Sequence, residues 1–342
     1  MNISAIVLAA GKGTRMKSFL PKVLHSVFYT PMVCHVLESI QRLDLYQTIV
    51  VTGHERELVE QRLGEYSVTF VYQQMQNGTG HAVQLTEDAL DDKVGHVLIV
   101  CGDSPFISTQ TLQLMLDEHL SSDSAVTVLS TFVSDPRNYG RIVCDSDNQL
   151  LSIVEEKDAN AEQREITEIN GGVYIVKKDV LFSSLQQTDT KNKQGEVYLT
   201  DIVRIASADG FKVSRVICDD PVEIMGVNSR QELTKAHDIM QHSLFDHLLE
   251  NGVSLIRPST SSIHPTVVIG ADTSIFANVS IDVGVVIGSF CQISDQCYIK
   301  NSYIGDNVII GAGSRLIGAN IPSNSIVNPA SVMIFENEIN VG

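Results

Sequence analysis

Short stretches rich in apolar and β-branched residues punctuate roughly the first two thirds of the chain, at 5–8, 47–52, 68–72, 96–100, 125–132 and 173–176. Runs of that length, closed by glycine or polar residues, predict strands buried on both faces. Between them the apolar residues recur at three- and four-residue steps. Met32, Val33, Val36, Leu37, Ile40 and Leu43 give a helix one apolar face behind Pro31, and 55–63 and 198–208 read the same way. Alternation of the two periods predicts an α/β domain, a mostly parallel sheet with helices on both faces, whose ligands gather outside the carboxyl ends of the strands. A long helix follows at 229–250, with Leu233, Ala236, Met240, Leu244 and Leu248 on one side. Then the period becomes six. Isoleucine occupies 263, 269, 275, 281, 287, 293 and 299, and after a slip of one residue the column resumes at Ile304, Ile310 and Leu316. A helix cannot produce that column, whereas a parallel β-helix with three six-residue sides per turn does, and 263–320 then supplies about three coils. The expected domains are 1–228, a linker helix at 229–252, and the coils at 253–342, with 332–335 packing on a coil or a neighbour.

A chain of 342 residues is long enough for two domains with substantial cores. Its formal net charge of −17 argues against broad binding to nucleic acid or to an anionic membrane. An anionic substrate must then be caught by a local cationic patch. The six cysteines form no C-x-x-C pair and read as reduced, small apolar residues rather than disulfides or zinc ligands. The first apolar run is too short for a signal peptide and no basic segment precedes it; no apolar window of about 18 residues is present either, so a cytoplasmic location is expected. His237, His242 and His247 lie five apart and do not share a helix face, which makes a metal site there unexpected.

The candidate chemistry starts where the first strand ends. Ala9-Ala10-Gly11-Lys12-Gly13-Thr14-Arg15 is a small glycine-containing loop, followed by Pro21-Lys22. Backbone N–H groups in such a loop can close on phosphate oxygens, and Lys12, Arg15 and Lys22 add positive charge. The spacing fits neither of the two commonest phosphate loops, and an ordinary strand-to-helix turn is the alternative. Gln73 follows the third strand, and its amide suits the edge of a nucleobase. Gly78 and Thr79 open the next helix, where Thr79 could equally be a simple N-cap. Asp103 closes the 96–100 strand. A carboxylate facing a phosphate crevice implies a divalent cation between them, the alternative being a turn residue before Pro105. Gly140, Glu155 and Asn170 sit at later strand ends and are of the type that binds sugar hydroxyls, while the polar stretch 186–196 is a candidate lid.

The string Leu8-x-x-Gly11-x-Gly13-Thr14-Arg15-Met16…Pro21-Lys22 resembles the signature of sugar-nucleotide pyrophosphorylases, the nucleotidyltransferases that join a nucleoside triphosphate to a sugar 1-phosphate. With Q…GTGHA, GD, YGRI, VEEKDA, EIN, QGEVYLTD and GVNSR in order, residues 1 to about 250 resemble the GlmU-type N-acetylglucosamine-1-phosphate uridylyltransferases. The resemblance implies a Rossmann-like nucleotidyltransferase domain. It further implies that Leu8, Ala9, Ala10, Gly11, Gly13, Gln73, Gly78 and Thr79 bind the nucleotide, and that Arg15 and Lys22 neutralise phosphate. Asp103 and Asn228 would hold Mg²⁺, and Gly140, Glu155, Asn170 and Tyr198 would line the sugar pocket. Three positions depart from the pattern: Cys101 replaces a larger residue, Gly171-Gly172 stands where Thr-Gly is usual, and Asn77 replaces an apolar residue. The hexapeptide column resembles the left-handed β-helix that commonly forms trimers, which implies a homotrimer.

The expected reaction is attack of a sugar phosphate oxygen on the α-phosphorus of UTP, with loss of pyrophosphate. A phosphate monoester is already a nucleophile, so cations rather than a general base are the requirement. Another sugar phosphate, dTTP or CTP as donor, and a non-catalytic nucleotide-sugar-binding protein are the alternatives. Because about three coils lack the histidine-bearing stretch of the bifunctional relatives, no acetyl transfer is expected.

Overall fold

The computed structural model describes residues 2–335. They form two compact units, 1–26 with 30–232, and 27–29 with 233–342.

The first unit is built on β1 (Asn2–Ala9), β2 (Gln47–Thr52), β3 (Thr69–Tyr72), β4 (Val94–Cys101), β5 (Val126–Phe132), β6 (Arg141–Cys144), β7 (Leu150–Val154), β8 (Glu168–Lys177) and β9 (Val213–Ile217). The main sheet runs β9-β5-β8-β4-β1-β2-β3, and the β6–β7 hairpin joins it through β8. β1 is apolar at nearly every position because both its faces are covered. Ile3, Ala5, Val7 and Ala9 pack into one core with Val33, Val36, Leu37 and Ile40 of helix α1 (Met32–Gln41). Ile6 packs into the other core, with Leu181, Ile202 and Val203. The parallel pairs β1–β2, β1–β4 and β2–β3 stack four carboxyl ends side by side. Within that seven-strand order β8 alone runs antiparallel to both its neighbours, β4 and β5. Its pairing with β5 shifts register between Asn170 and Tyr174, where Gly172 has φ +71°. An added Cβ at Gly171 would lie 3.0 Å from Leu129 O and from Ile224 Cγ2. The Gly171-Gly172 pair therefore belongs to a bulge that sets Asn170 and Gly172 beside the end of β4.

Helix α5 (Arg230–Glu250) follows α2 (Thr79–Gln84), α3 (Thr109–Ser121) and α4 (Asp201–Ala208). The expected face is partly corrected: Leu233, Ala236 and Leu248 are buried and half-buried Leu244 packs against the coils, whereas Met240 does not join them and Phe245 does, because Phe245 and Leu248 close the first turn of the coils with Val253 and Ile263. His237 accepts a hydrogen bond from the Phe28 backbone N–H at 3.0 Å, and no group of three metal-ligating side chains occurs among the described residues. No helix among them is long and apolar enough to cross a membrane.

The coils are a left-handed parallel β-helix of short strands in two ladders of five and one of four. The expected three coils are too few. Pairing begins at Ser254–Leu255 and ends at Val332–Ile334, so the chain makes four complete turns and part of a fifth. Ser262, Ser280 and Tyr298 align eighteen residues apart, whereas Tyr298, Arg315 and Val332 align seventeen apart. The one-residue slip thus recurs: the side from Ile299 to Ile304 and the side from Leu316 to Ile321 each hold five residues, at the same corner. Inward isoleucines stay buried throughout. Residues 336–342 of the expected tail lie outside the described residues.

At the end of the sheet away from the glycine loop, His96 Nδ1 and His119 Nε2 lie 2.9 Å apart, and His119 Nδ1 meets Thr127 Oγ1 at 2.8 Å. Burial, then His96 and Lys177, push the His119 ring down to about 4, against the opposing Asp123 carboxylate. Burial likewise lowers His96. An unfolded histidine protonates near pH 6.5, so this contribution is complete above that pH and lost as pH falls from about 6.5 towards 4. Urea unfolding at pH 7 and pH 5 is expected to show a loss on the order of 1–3 kcal/mol from this pair, and His119→Gln should flatten the difference.

Candidate active site

The glycine loop leaves β1 at Ala9 and is folded around one lysine. Gly13 is left-handed (φ +59°), and a Cβ there would collide with the Lys22 side chain. A 3₁₀ turn at Thr14–Met16 buries Met16, and a second, Lys22–Leu24, follows Pro21. These turns carry Lys22 to Asp103, just beyond β4, in an ion pair whose side chains are both 16% exposed. Lys22 Nζ also donates to Asn228 Oδ1 at 3.0 Å. Val227 N–H donates to Asp103 O at 2.9 Å, so the segment with Asn228 is anchored to the strand end that bears the carboxylate.

A cleft of about 720 Å³ opens over this group. Of the expected nucleotide residues, Leu8, Ala10, Gly11, Gly13, Lys22, Gln73, Gly78, Thr79 and Asp103 line it. Ala9, the last residue of β1, does not, and its side chain is buried in the core. Arg15 is exposed and outside the lining. Lys12, Gln76 and Glu196 line the cleft as well, although nothing in the local pattern ranked Gln76 or Glu196 as site residues. A larger depression of about 880 Å³ runs along α5, but one helix alone lines it, so groups do not converge there.

At the start of α2, Thr79 is not an N-cap. Gly78 occupies that position (φ +111°) with no side-chain cap, and Thr79 Oγ1 instead accepts from Leu199 N–H at 3.2 Å. Val197 N–H donates to Asn77 O and Gly80 N–H to Val197 O, both at 2.8 Å, so the 194–199 segment is zipped onto the rim. The candidate lid is tied down too: Lys193 N–H donates to Asp158 and Lys157 Nζ to Gln194 Oε1.

The expected sugar residues occupy the neighbouring strand ends rather than the cleft lining. Asn170 N–H donates to Gly140 O at 2.9 Å, Asn170 Oδ1 accepts from Gly172 N–H, and Asn170 Nδ2 donates to Tyr174 OH. Cys101 Sγ lies 3.7 Å from Gly172 O and joins this wall to the cleft. Burial, then Asp103, pushes the Cys101 thiol up to about 12, which removes it as a nucleophile. Glu155 accepts from Thr200 Oγ1 at 3.2 Å, and burial raises its carboxyl above the usual range. Tyr198 is buried, donates to Asp158 Oδ2 and accepts from Gln194 Nε2, so its hydroxyl is engaged elsewhere.

Asp103 and Asn228 aim one carboxylate and one amide oxygen at a single cation, here the Lys22 ammonium. Hard oxygen donors converging in this way fit a divalent cation that completes its shell with water and phosphate. Because a Cβ on residue 78 would meet Val197 O and Glu196 Cβ, Gly78→Ala is expected to destabilise the first unit by about 1–3 kcal/mol. Thermal melting with and without UTP checks this, with the nucleotide-dependent shift expected to vanish.

The nucleotidyl transferase family model matches residues 4–221, and that of the bacterial transferase hexapeptide (six repeats) matches 284–318. Bifunctional protein GlmU of Desulfotalea psychrophila is 41% identical over 94% of this chain and 95% of its own length. The GlmU proteins of Exiguobacterium sibiricum and Clostridioides difficile are 42% and 40% identical over 91% and 96% of this chain, and 69% and 71% of theirs. A crystal structure from Bacillus anthracis, assigned as a glucose-1-phosphate thymidylyltransferase, shares the fold with TM-score 0.57 at 22% identity, over 69% of this chain and 94% of that one. Identity of about two residues in five along almost the whole chain, together with the loop, the Lys22–Asp103–Asn228 cluster and the coils, shows that this chain belongs to the nucleotidyl transferase family and, within it, to the GlmU proteins.

Proposed function

We propose that the chain transfers a uridylyl group from UTP to N-acetylglucosamine 1-phosphate, giving UDP-N-acetylglucosamine and pyrophosphate, with Mg²⁺ as the divalent cation. The observation that carries this is the Lys22 ammonium held by Asp103 and Asn228 at the base of a cleft that also presents Gln73 and the glycine loop. The glycine loop cradles the nucleotide through backbone N–H groups, and Gln73, Gly78 and Thr79 read its base. Lys22 and Arg15 cancel phosphate charge as the sugar phosphate oxygen meets the α-phosphorus in line. Asp103 and Asn228 would hold the Mg²⁺, which when bound would supply the remaining charge neutralisation. The sugar rests on Gly140, Glu155 and Asn170; Tyr198 supports that wall through Asp158. Another sugar phosphate is the second reading, favoured by the Gly171-Gly172 bulge and the small Cys101 beside Asn170, which leave that wall without bulky side chains.

The coils assemble the chain, in our reading as a homotrimer, through an outer apolar column of Val268, Val286 and Tyr303, aligned by strand register and exposed. They do not carry acetyl transfer. Their one histidine, His264, is bonded to Thr266 and packed against Tyr29 with ring centroids 4.3 Å apart.

Pyrophosphate release from a panel of triphosphates and sugar phosphates tests the reaction; UTP with N-acetylglucosamine 1-phosphate should lead, and chelation of Mg²⁺ should abolish turnover. Lys22→Ala and Asp103→Ala are each expected to lower kcat by at least about 10²-fold with the fold retained. Wild-type rates in either variant would overturn the site. Acetyl-CoA and glucosamine 1-phosphate should give no product with this 342-residue chain.

A further inference from the structure

Gln73 is 3% exposed, yet it lines the cleft. Its Nε2 lies 3.1 Å from Gly78 O and 3.0 Å from His81 Nδ1. A carbonyl oxygen can only accept, so the amide end facing Gly78 is the NH₂. The same NH₂ must then donate to His81, which fixes that ring: Nδ1 carries the lone pair and Nε2 the hydrogen. Both N–H donors of Gln73 are thereby consumed inside the protein. Its Oε1 accepts no hydrogen bond among the described residues, and it is not among the buried polar atoms without a partner. It is open to the cleft as a bare acceptor. Pyrimidines differ in polarity at N3, where uracil and thymine carry N–H and cytosine carries a lone pair. An acceptor takes the first and repels the second.

We propose that His81 is a positioning residue for base selection: its neutral ring, with Gly78, locks the Gln73 amide so that only its oxygen faces the nucleotide, favouring bases with an N3–H. This rests on the cleft being the nucleotide site. His81 touches no substrate; Gln73 reads the base and His81 sets which end of the amide does the reading. With the ring's acceptor removed, Gly78 alone holds the amide, and the polarity is less strongly fixed.

The test compares UTP and CTP binding by calorimetry on the full chain, without sugar phosphate, and then follows steady-state kinetics. Wild type should prefer UTP strongly. His81→Leu, which lacks an acceptor, should cut the UTP/CTP affinity ratio by about five- to tenfold, the equivalent of one hydrogen bond. Its KM for UTP should rise while kcat stays within about twofold. His81→Asn, whose Oδ1 can accept near the position of Nδ1, should restore the ratio. His81 is only half-buried; should His81→Leu still fail to fold, the ¹⁵N shifts of the wild-type ring decide, an Nε2–H tautomer supporting the proposal and an Nδ1–H tautomer overturning it. An unchanged ratio in His81→Leu, an equal loss of both nucleotides, or a wild type that does not discriminate also overturns it. UTP binding without turnover would instead end the proposed reaction, and the affinity ratio would still decide the role of His81.

Discussion

The Asp103 carboxylate, a group that would repel phosphate, lines a cleft suited to phosphate, and the Lys22 ammonium, held also by the Asn228 amide oxygen, is what makes that arrangement stable. Lys22 stands 81 residues from one partner and 206 from the other. The ion pair is largely shielded from water, and removing one member would leave the other buried without its counterion. Much of the local structure serves this contact. Gly13 accepts the close approach of the lysine, buried Met16 fixes the turn, Pro21 aims Lys22, and the Val227–Asp103 backbone bond brings Asn228 within reach. A net charge of −17 spread over the chain does not conflict with binding polyanions when cations are concentrated at one strand end.

The direction of β8 has a comparable influence on the other half of the site. A parallel strand in that place would bring a different end of its sequence to the carboxyl edge of β4. Running antiparallel, β8 instead delivers Asn170 and the Gly171-Gly172 bulge there, and the β6–β7 hairpin adds Gly140. One reversed strand thus joins the proposed sugar wall to the proposed nucleotide cleft, with Cys101 at the seam.

Much of this was readable from residues alone, for identifiable reasons. Strands buried on both faces cannot hide their apolar runs, so β1, β2 and β4 stood out, and a six-residue column has no helical imitation. Strand direction leaves no such trace, since an apolar run reads alike both ways, and the antiparallel β8 was invisible. The coils were undercounted because their first and last turns place Leu255 and Met333 where isoleucine marked the rest. Phe245 was overlooked, and Met240 included with Leu244, because packing against a coil, not helical spacing, decides burial there. Among candidate site residues, most of the glycine loop came together with Gln73, Gly78 and Asp103 in the cleft, Arg15 of the same loop stayed outside it, and Tyr198 was drawn into a network with Asp158 and Gln194 that no local pattern announces. The N-cap alternative for Thr79 could not be dismissed from local sequence because the partner of its hydroxyl, Leu199, lies 120 residues away.

The seventeen-residue turns of the β-helix have a further bearing on how such a chain can vary. A residue lost in the middle of a side would reverse every inward and outward position after it, but one lost at a corner keeps Ile304, Ile310 and Leu316 in their column. Each turn bonds only to the turns before and after it, so the stack behaves as a one-dimensional array. Corners are therefore where deletions can accumulate silently, and whole turns are the natural unit of lengthening or trimming. Neither kind of change demands compensation from the glycine loop or its lysine.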